Sequence, residues 1–332
     1  MSDRIVIAGA GSIGCFVGGL LALGGRQVML LARPRIAAEV REHGLRLASF
    51  EGWSERLEPS ALLLETDPAR ALAGAGIVLV TVKSGQTRDM AALIAAHAPA
   101  RAKVISLQNG LDNARRLAAA LPGRAVHAGM VSFNVLHLGE GRFHRGTSGP
   151  LVIAAGAPVL AAPHLDILAH PRMDAVLAGK LVYNLNNALN ALSGLPLQAQ
   201  LADRRWRRIL AACQDEALAI FAAMGIAPWS LGRLPVRRFP LVLRLPDFLF
   251  RLASRAGPRI DSAARSSMWE DFERGRATEI DELQGKIVAL GHELGISTPA
   301  NDLVLAAVRK AEGNGPGSPR LIPSVLDAML RS

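Results

Sequence analysis

Along the first 170 or so residues, short unbroken apolar runs alternate with longer stretches in which apolar positions recur at helical spacing. Runs at 5–8, 28–31, 77–82, 104–107, 125–131 and 151–153 predict strands buried on both faces, and 45–48 predicts one more. Helices are predicted between several of them, at 15–23, 88–96 and 113–120. Strand, helix, strand repetition implies a mostly parallel sheet covered on both faces, the doubly wound arrangement. After Pro171 the texture changes: helical runs at 175–192, 206–224, 260–274, 279–294 and 302–311 follow one another with no strand pattern between them. The expected fold is therefore an α/β N-terminal domain, residues 1–172, followed by an all-α C-terminal domain, residues 173–332.

The first strand breaks into Gly9-x-Gly11-x-x-Gly14. In a Rossmann-type dinucleotide-binding domain the first glycine permits the tight turn, the second lets backbone N–H groups approach a pyrophosphate, and the third lets the next helix pack close to the sheet. The helix N-terminus, at Ser12 and Ile13, then presents its partial positive charge to the anion. The end of the second strand reads Leu31-Ala32-Arg33-Pro34-Arg35. An NAD site carries an acid there for the ribose 2′-OH, whereas an NADP site needs a cation for the 2′-phosphate. NADP(H) is thus the expected cofactor, with Arg33 on the 2′-phosphate.

At 332 residues the chain is long enough for two cores, and with half its residues apolar and only 4 % aromatic it reads as globular. No run of 18 or more uncharged apolar residues predicts a membrane span, and no export leader is visible. Cys15 and Cys213 sit far apart in apolar helical patterns, as buried thiols of a reducing compartment, and a cytoplasmic location is expected. The net charge of +10 is diffuse, with only five lysines among the 38 cations and no basic stripe interleaved with aromatics, so no nucleic-acid partner is expected. Prolines at 235, 240 and 246 interrupt the apolar, basic segment between Pro228 and Gly257. It has three candidate roles: packing on its own domain, a subunit contact such as a homodimer would use, or a peripheral membrane patch.

Three clusters carry candidate chemistry. Lys83 directly follows a predicted buried strand, and Asn109-Gly110 follows the next, so both lie at the ligand-facing edge. Lys180 and Asn184 stand at i and i+4 on one helix face. Asn184, Asn186, Asn187 and Asn190 together are poor helix filler and predict a polar cleft wall. Ser266-Ser267-Met268 and Thr278-Glu279-Ile280-Asp281 follow. In order and spacing this set resembles the 2-dehydropantoate 2-reductase (ketopantoate reductase) family over nearly the whole chain.

The resemblance implies NADPH-dependent reduction of a 2-keto acid, 2-dehydropantoate to (R)-pantoate in pantothenate biosynthesis. It implies Lys180 as the catalytic acid supported by Glu279, with Asn109, Asn184 and Ser267 around the substrate. Lys83, Asn109 and Glu279 are expected beside the cofactor along with Gly9, Gly11, Ser12, Ile13, Gly14 and Arg33; no metal is expected. Three differences from the family pattern stand out. Ala188 replaces a second asparagine, Gln284 stands where an asparagine precedes glycine, and 230–260 is longer. If Ala188 continues the Lys180–Asn184 ridge, it removes an amide and opens space, so that ketopantoate is expected to be reduced with less discrimination or a bulkier, less polar 2-keto acid to be preferred.

Overall fold

The computed structural model describes residues 4–232, 234–254 and 264–329. The chain divides into two compact units, Met1–Met173 and Asp174–Ser332. In the first, strands β1 (Ile5–Ala8), β2 (Val28–Leu31), β3 (Leu45–Ser49), β4 (Ser54–Leu57), β5 (Leu63–Glu65) and β6 (Ile77–Val80) are followed by β7 (Lys103–Ser106), β8 (Val126–Val131), β9 (Val135–Gly139), β10 (Arg142–Arg145), β11 (Leu151–Ala154) and β12 (Ile167–His170). Between them lie helices α1 (Ser12–Leu23), α2 (Pro34–His43), α3 (Pro68–Leu72), α4 (Thr87–His97) and α5 (Asn113–Ala120).

Eight strands form one sheet in the order β12-β11-β8-β7-β6-β1-β2-β5. Its six strands from β8 to β5 are mutually parallel, and β11 joins β8 antiparallel. From β1 the chain runs outward through β2 to β5, then returns to the other side of β1 at β6. That reversal opens the carboxyl edge between β1 and β6, where a parallel sheet binds its ligands.

A second sheet, β4-β3-β10-β9, was not expected beyond β3. Its other strands are short, and polar residues such as His137, Arg142 and His144 interrupt their apolar positions, so local pattern gives them little signal. Helix α1 packs between the two sheets, and its small residues make this possible. A Cβ on Gly18 would lie 2.8 Å from Ile7 Cγ1 and Leu30 Cδ2, and one on Gly19 would lie 2.8 Å from Leu47 Cδ1. Ile5, Ile7, Phe16, Leu20, Leu45, Leu47 and Phe143 join in one buried core around the helix. On the opposite face of the main sheet, Val6, Val78 and Val80 pack with Leu72, Met90, Ile94 and Leu117 from α3, α4 and α5.

The second unit contains only helices among its described residues: α6 (Met173–Asn184), α7 (Asn186–Ser193), α8 (Leu197–Ala202), α9 (Arg204–Ala223), α10 (Phe239–Leu243), α11 (Asp247–Ser254), α12 (Ser267–Glu273), α13 (Gln284–Leu294), α14 (Pro299–Glu312) and α15 (Pro323–Met329). The helix predicted at 260–274 begins at Ser267; residues 260–263 lie outside the described set. The one predicted at 279–294 opens instead with a single 3-10 turn, Ile280–Glu282. The Pro-interrupted stretch is held to α9 by Arg207, which is fully buried. Its guanidinium donates to the carbonyls of Leu243, Leu201 and Leu245 and to Asp247, and it lies over the Phe250 ring at 4.1 Å. The base of this stretch thus packs on its own unit, while Leu241, Phe248 and Leu252 on its outer side are exposed.

Because α1 touches side chains of both sheets through Gly18 and Gly19, a branched side chain at either place overfills the core. Gly18→Val is expected to lower the unfolding free energy by roughly 1–3 kcal/mol. Urea denaturation measures this, and an unchanged midpoint would show that the layers separate without cost.

Candidate active site

The glycine turn is shaped by contacts that exclude side chains. Gly9 has φ +109°, and a Cβ there would lie 2.5 Å from Val82 Cγ1 and 2.9 Å from the Val82 nitrogen. At Gly14 a Cβ would lie 2.6 Å from the Gly9 carbonyl oxygen. Thr81 Oγ1 donates to that same oxygen at 2.7 Å and ties the turn to the end of β6. Gly11 is the N-cap of α1 and supplies no side-chain capping bond; a Cβ there would meet nothing within 4 Å. The first-turn N–H groups at Ser12 and Ile13 are thus left without a side-chain cap from Gly11, the arrangement that suits a pyrophosphate.

At the end of β2, Arg33 is exposed and caps α2, with Pro34 at the first helical position. Its guanidinium donates to Gln86 Oε1 at 3.2 Å, so the loop after β6 reaches across β1 to the residue that follows β2. Gln86 had no signal in the sequence beyond its polarity.

The register of β6 and β7 pairs Val80 with Ser106, so Lys83 and Asn109 each lie three residues beyond paired strand ends. Both are half-buried. A hydrogen-bonded network beneath them fixes the two loops. Ser84 Oγ donates to the Asn109 carbonyl at 3.0 Å, and Asn113 Nδ2 donates to Ser84 Oγ at 2.9 Å. Thr87 Oγ1 donates to Asn113 Oδ1 at 2.9 Å and accepts from Gln108 Nε2 at 2.7 Å. Ser84, Thr87, Gln108 and Asn113 are all buried. Sequence reasoning missed them, although a buried polar residue next to a strand end is the signal that marks such a brace.

In the helical unit the predicted helix 175–192 is divided at Leu185 into α6 and α7. Lys180 and Asn184 occupy the last two turns of α6, with Lys180 half-buried and Asn184 buried. Burial pushes the Lys180 ammonium from an ordinary value near 10.5 down to about 8. Glu279 is half-buried immediately before the 3-10 turn.

The expected wall of amides is only partly realised. Asn186 and Gln200 exchange two hydrogen bonds at 2.8 and 3.2 Å. Asn190 donates to the Leu195 carbonyl at 2.9 Å and accepts from the Ser266 nitrogen at 2.8 Å. These two asparagines are internal joints of the unit, because buried amides need partners and find them on α8 and the start of α12. Ser266 is the N-cap of α12, accepting from Trp269 N and donating to the Asn187 carbonyl. Its neighbour Ser267 is exposed in the first turn. Ala188 is fully buried on α7, beyond the break at Leu185 that separates it from the Lys180–Asn184 helix.

The ketopantoate reductase PanE/ApbA family pattern matches residues 5–158, and the family's C-terminal pattern matches residues 172–312. The chain belongs to the ketopantoate reductase family. It is accordingly an oxidoreductase that works with a nicotinamide dinucleotide. A 2-dehydropantoate 2-reductase of Halobacterium salinarum is 29% identical over 94% of this chain and 100% of its own length. The crystal structure of a PanE/ApbA family ketopantoate reductase from Ralstonia eutropha JMP134 is 30% identical, covers 94% of this chain and 99% of its own, and superposes with a TM-score of 0.77. The ternary structure of D-mandelate dehydrogenase with NADH and anilino(oxo)acetate, 19% identical with a TM-score of 0.75 over 94% of this chain and 99% of its own, shares the fold. Among the described residues no helix is long and apolar enough to cross a membrane.

The lowered value of Lys180 is also a statement about stability. Between pH 8 and 10.5 the unfolded chain still holds a proton that the folded chain has released, so stability rises with pH across that window. Below it the desolvation penalty is fully present. Lys180→Met is expected to raise stability at pH 7, by up to roughly 3 kcal/mol, and to flatten the rise toward pH 10. Denaturant titrations of both proteins at pH 7 and pH 10 test this; parallel pH profiles would contradict it.

Proposed function

We propose that this chain reduces 2-dehydropantoate to (R)-pantoate, with residues 1–172 binding NADPH and residues 173–332 supplying the acid. The observation that carries the reading is Lys180, whose ammonium burial has brought down to about 8 on a helix that also presents Asn184. When bound, NADPH supplies the hydride. Reduction of a ketone leaves charge on its oxygen, and the Lys180 Nζ is the proton donor to that oxygen. Glu279 holds the ammonium, and Asn109, Asn184 and Ser267 orient the substrate.

The cofactor residues fit the molecule assigned to them. The open face of Gly11 and the uncapped start of α1 at Ser12 and Ile13 take the pyrophosphate, with Gly9 and Gly14 keeping the turn tight. Exposed Arg33, braced by Gln86, takes the 2′-phosphate, which favours NADPH over NADH. Lys83, Asn109 and Glu279 complete the cofactor set. Two free, buried cysteines, Cys15 and Cys213, suit a cytoplasmic enzyme, and no nucleic-acid partner is assigned.

Steady-state NADPH oxidation against a panel of 2-keto acids tests the assignment, with 2-dehydropantoate expected to give the highest kcat/KM and 2-ketoisovalerate a lower one. Since the proton donor must be an ammonium, kcat is expected to fall as pH rises through about 8. Lys180→Ala should cost about 10²–10⁴-fold in kcat with NADPH affinity retained. Turnover close to that of the unaltered enzyme would remove Lys180 from the chemistry. Losing one charge-assisted phosphate contact costs about 1.5–3 kcal/mol, so Arg33→Ala should weaken NADPH by about tenfold or more and leave NADH almost unaffected. Equal weakening of the two would exclude Arg33 from the 2′-phosphate.

A further inference from the structure

Helix α6 ends at Asn184, and two glutamines from elsewhere in the helical unit bond carbonyls around that stop. Gln284, the first residue of α13 and fully buried, donates its Nε2–H to the Leu185 carbonyl at 2.8 Å. Gln214 of α9, also buried, donates to the Val182 carbonyl at 3.1 Å. The Oε1 atom of each is buried with no protein partner. An acceptor left that way costs free energy that a methionine or leucine in the same place would not. What each glutamine contributes is therefore the N–H it directs at the helix.

The place of these bonds in the chain gives them a consequence. Gln284 follows Glu279 by five residues through the single turn Ile280–Glu282, and Leu185 follows Lys180 by five. The turn is tied at its other side as well, where Arg309 donates to Asp281 at 2.8 Å. We infer that Gln284 is a positioning residue whose bond to the Leu185 carbonyl fixes the Glu279 turn against the Lys180–Asn184 helix, with Gln214 bracing the same helix from α9. The inference rests on the roles proposed above for Lys180 and Glu279. It adds a residue that touches neither substrate nor cofactor and acts by holding the acid and its carboxylate partner in register, since small displacements of a proton donor are costly to turnover.

Two readouts test it. The chain has five lysines, Lys83, Lys103, Lys180, Lys286 and Lys310, so reductive methylation with a carbon-13 label gives a set of NMR signals small enough to assign. The Lys180 signal is the one missing in Lys180→Met. In Gln284→Met, which keeps the volume and removes the donor, its titration midpoint is expected to move by at least about half a pH unit. The same variant should lose about tenfold or more in kcat with KM for NADPH within about twofold. Asn301→Leu removes another fully buried amide of this unit, one that bonds the Cys213 carbonyl and Glu216. It should lower Tm and move neither the midpoint nor kcat. If Gln284→Met does not fold, Gln214→Met removes the neighbouring bond and answers the same question. An unmoved Lys180 midpoint together with unchanged kcat would overturn the inference. Should Lys180→Ala itself keep full turnover, the reading of the site fails instead, and the NMR midpoint still reports whether the glutamine holds the lysine.

Discussion

Helix α1 has to lie against two sheets at once, and much of the first unit follows from that requirement. Gly14 meets the Gly9 carbonyl, Gly18 meets Ile7 and Leu30, and Gly19 meets Leu47, each at a distance that leaves no space for a methyl group. The close approach draws the start of α1 down onto the end of β1. There the N–H groups after Gly11, with no side-chain cap, stand at the point where strand order reverses. Gly14 thus serves both the glycine turn and the core, and Gly18 and Gly19 serve the core.

Beyond the glycine turn, the carboxyl edge of the sheet is organised by buried polar bonds. The network from Ser84 through Asn113 and Thr87 to Gln108 links the loop after β6 to the loop after β7, the two loops that carry Lys83 and Asn109. Inside a protein such bonds have narrow geometric tolerance and no competing water, so a satisfied network holds loops more firmly than apolar contacts do. The helical unit uses the same means. Gln200, Asn186, Asn190 and Ser266 join α7, α8 and α12, while Gln214 and Gln284 reach the carbonyls near the end of the lysine helix. Lys180 then owes its lowered value to burial: an ammonium is less easily kept charged where water is excluded.

The central strands were legible because they are apolar on both faces and end in glycine or polar residues; β1 and β2 have the limits that the pattern predicts. The glycine turn and the place of Arg33 could be read for the same local reason, since both follow directly on the end of an apolar strand. The second sheet was illegible beyond β3, because β9 and β10 bury only alternate residues such as Val135 and Phe143 against α1.

By itself, the sequence determined the parallel α/β half, the helical half, the nucleotide turn and a lysine with an asparagine four residues on, all properties of neighbours along the chain. Tertiary structure decided which amides of the asparagine-rich helix are structural joints and that Ala188 is buried. It also decided the division of the lysine helix at Leu185 and the bond from Gln284, 99 residues further along the chain, that meets it there. A hydrogen-bond partner brought in by folding leaves no trace in local spacing, and neither does the loss of water around a lysine; both are set by which distant segments the packing brings together.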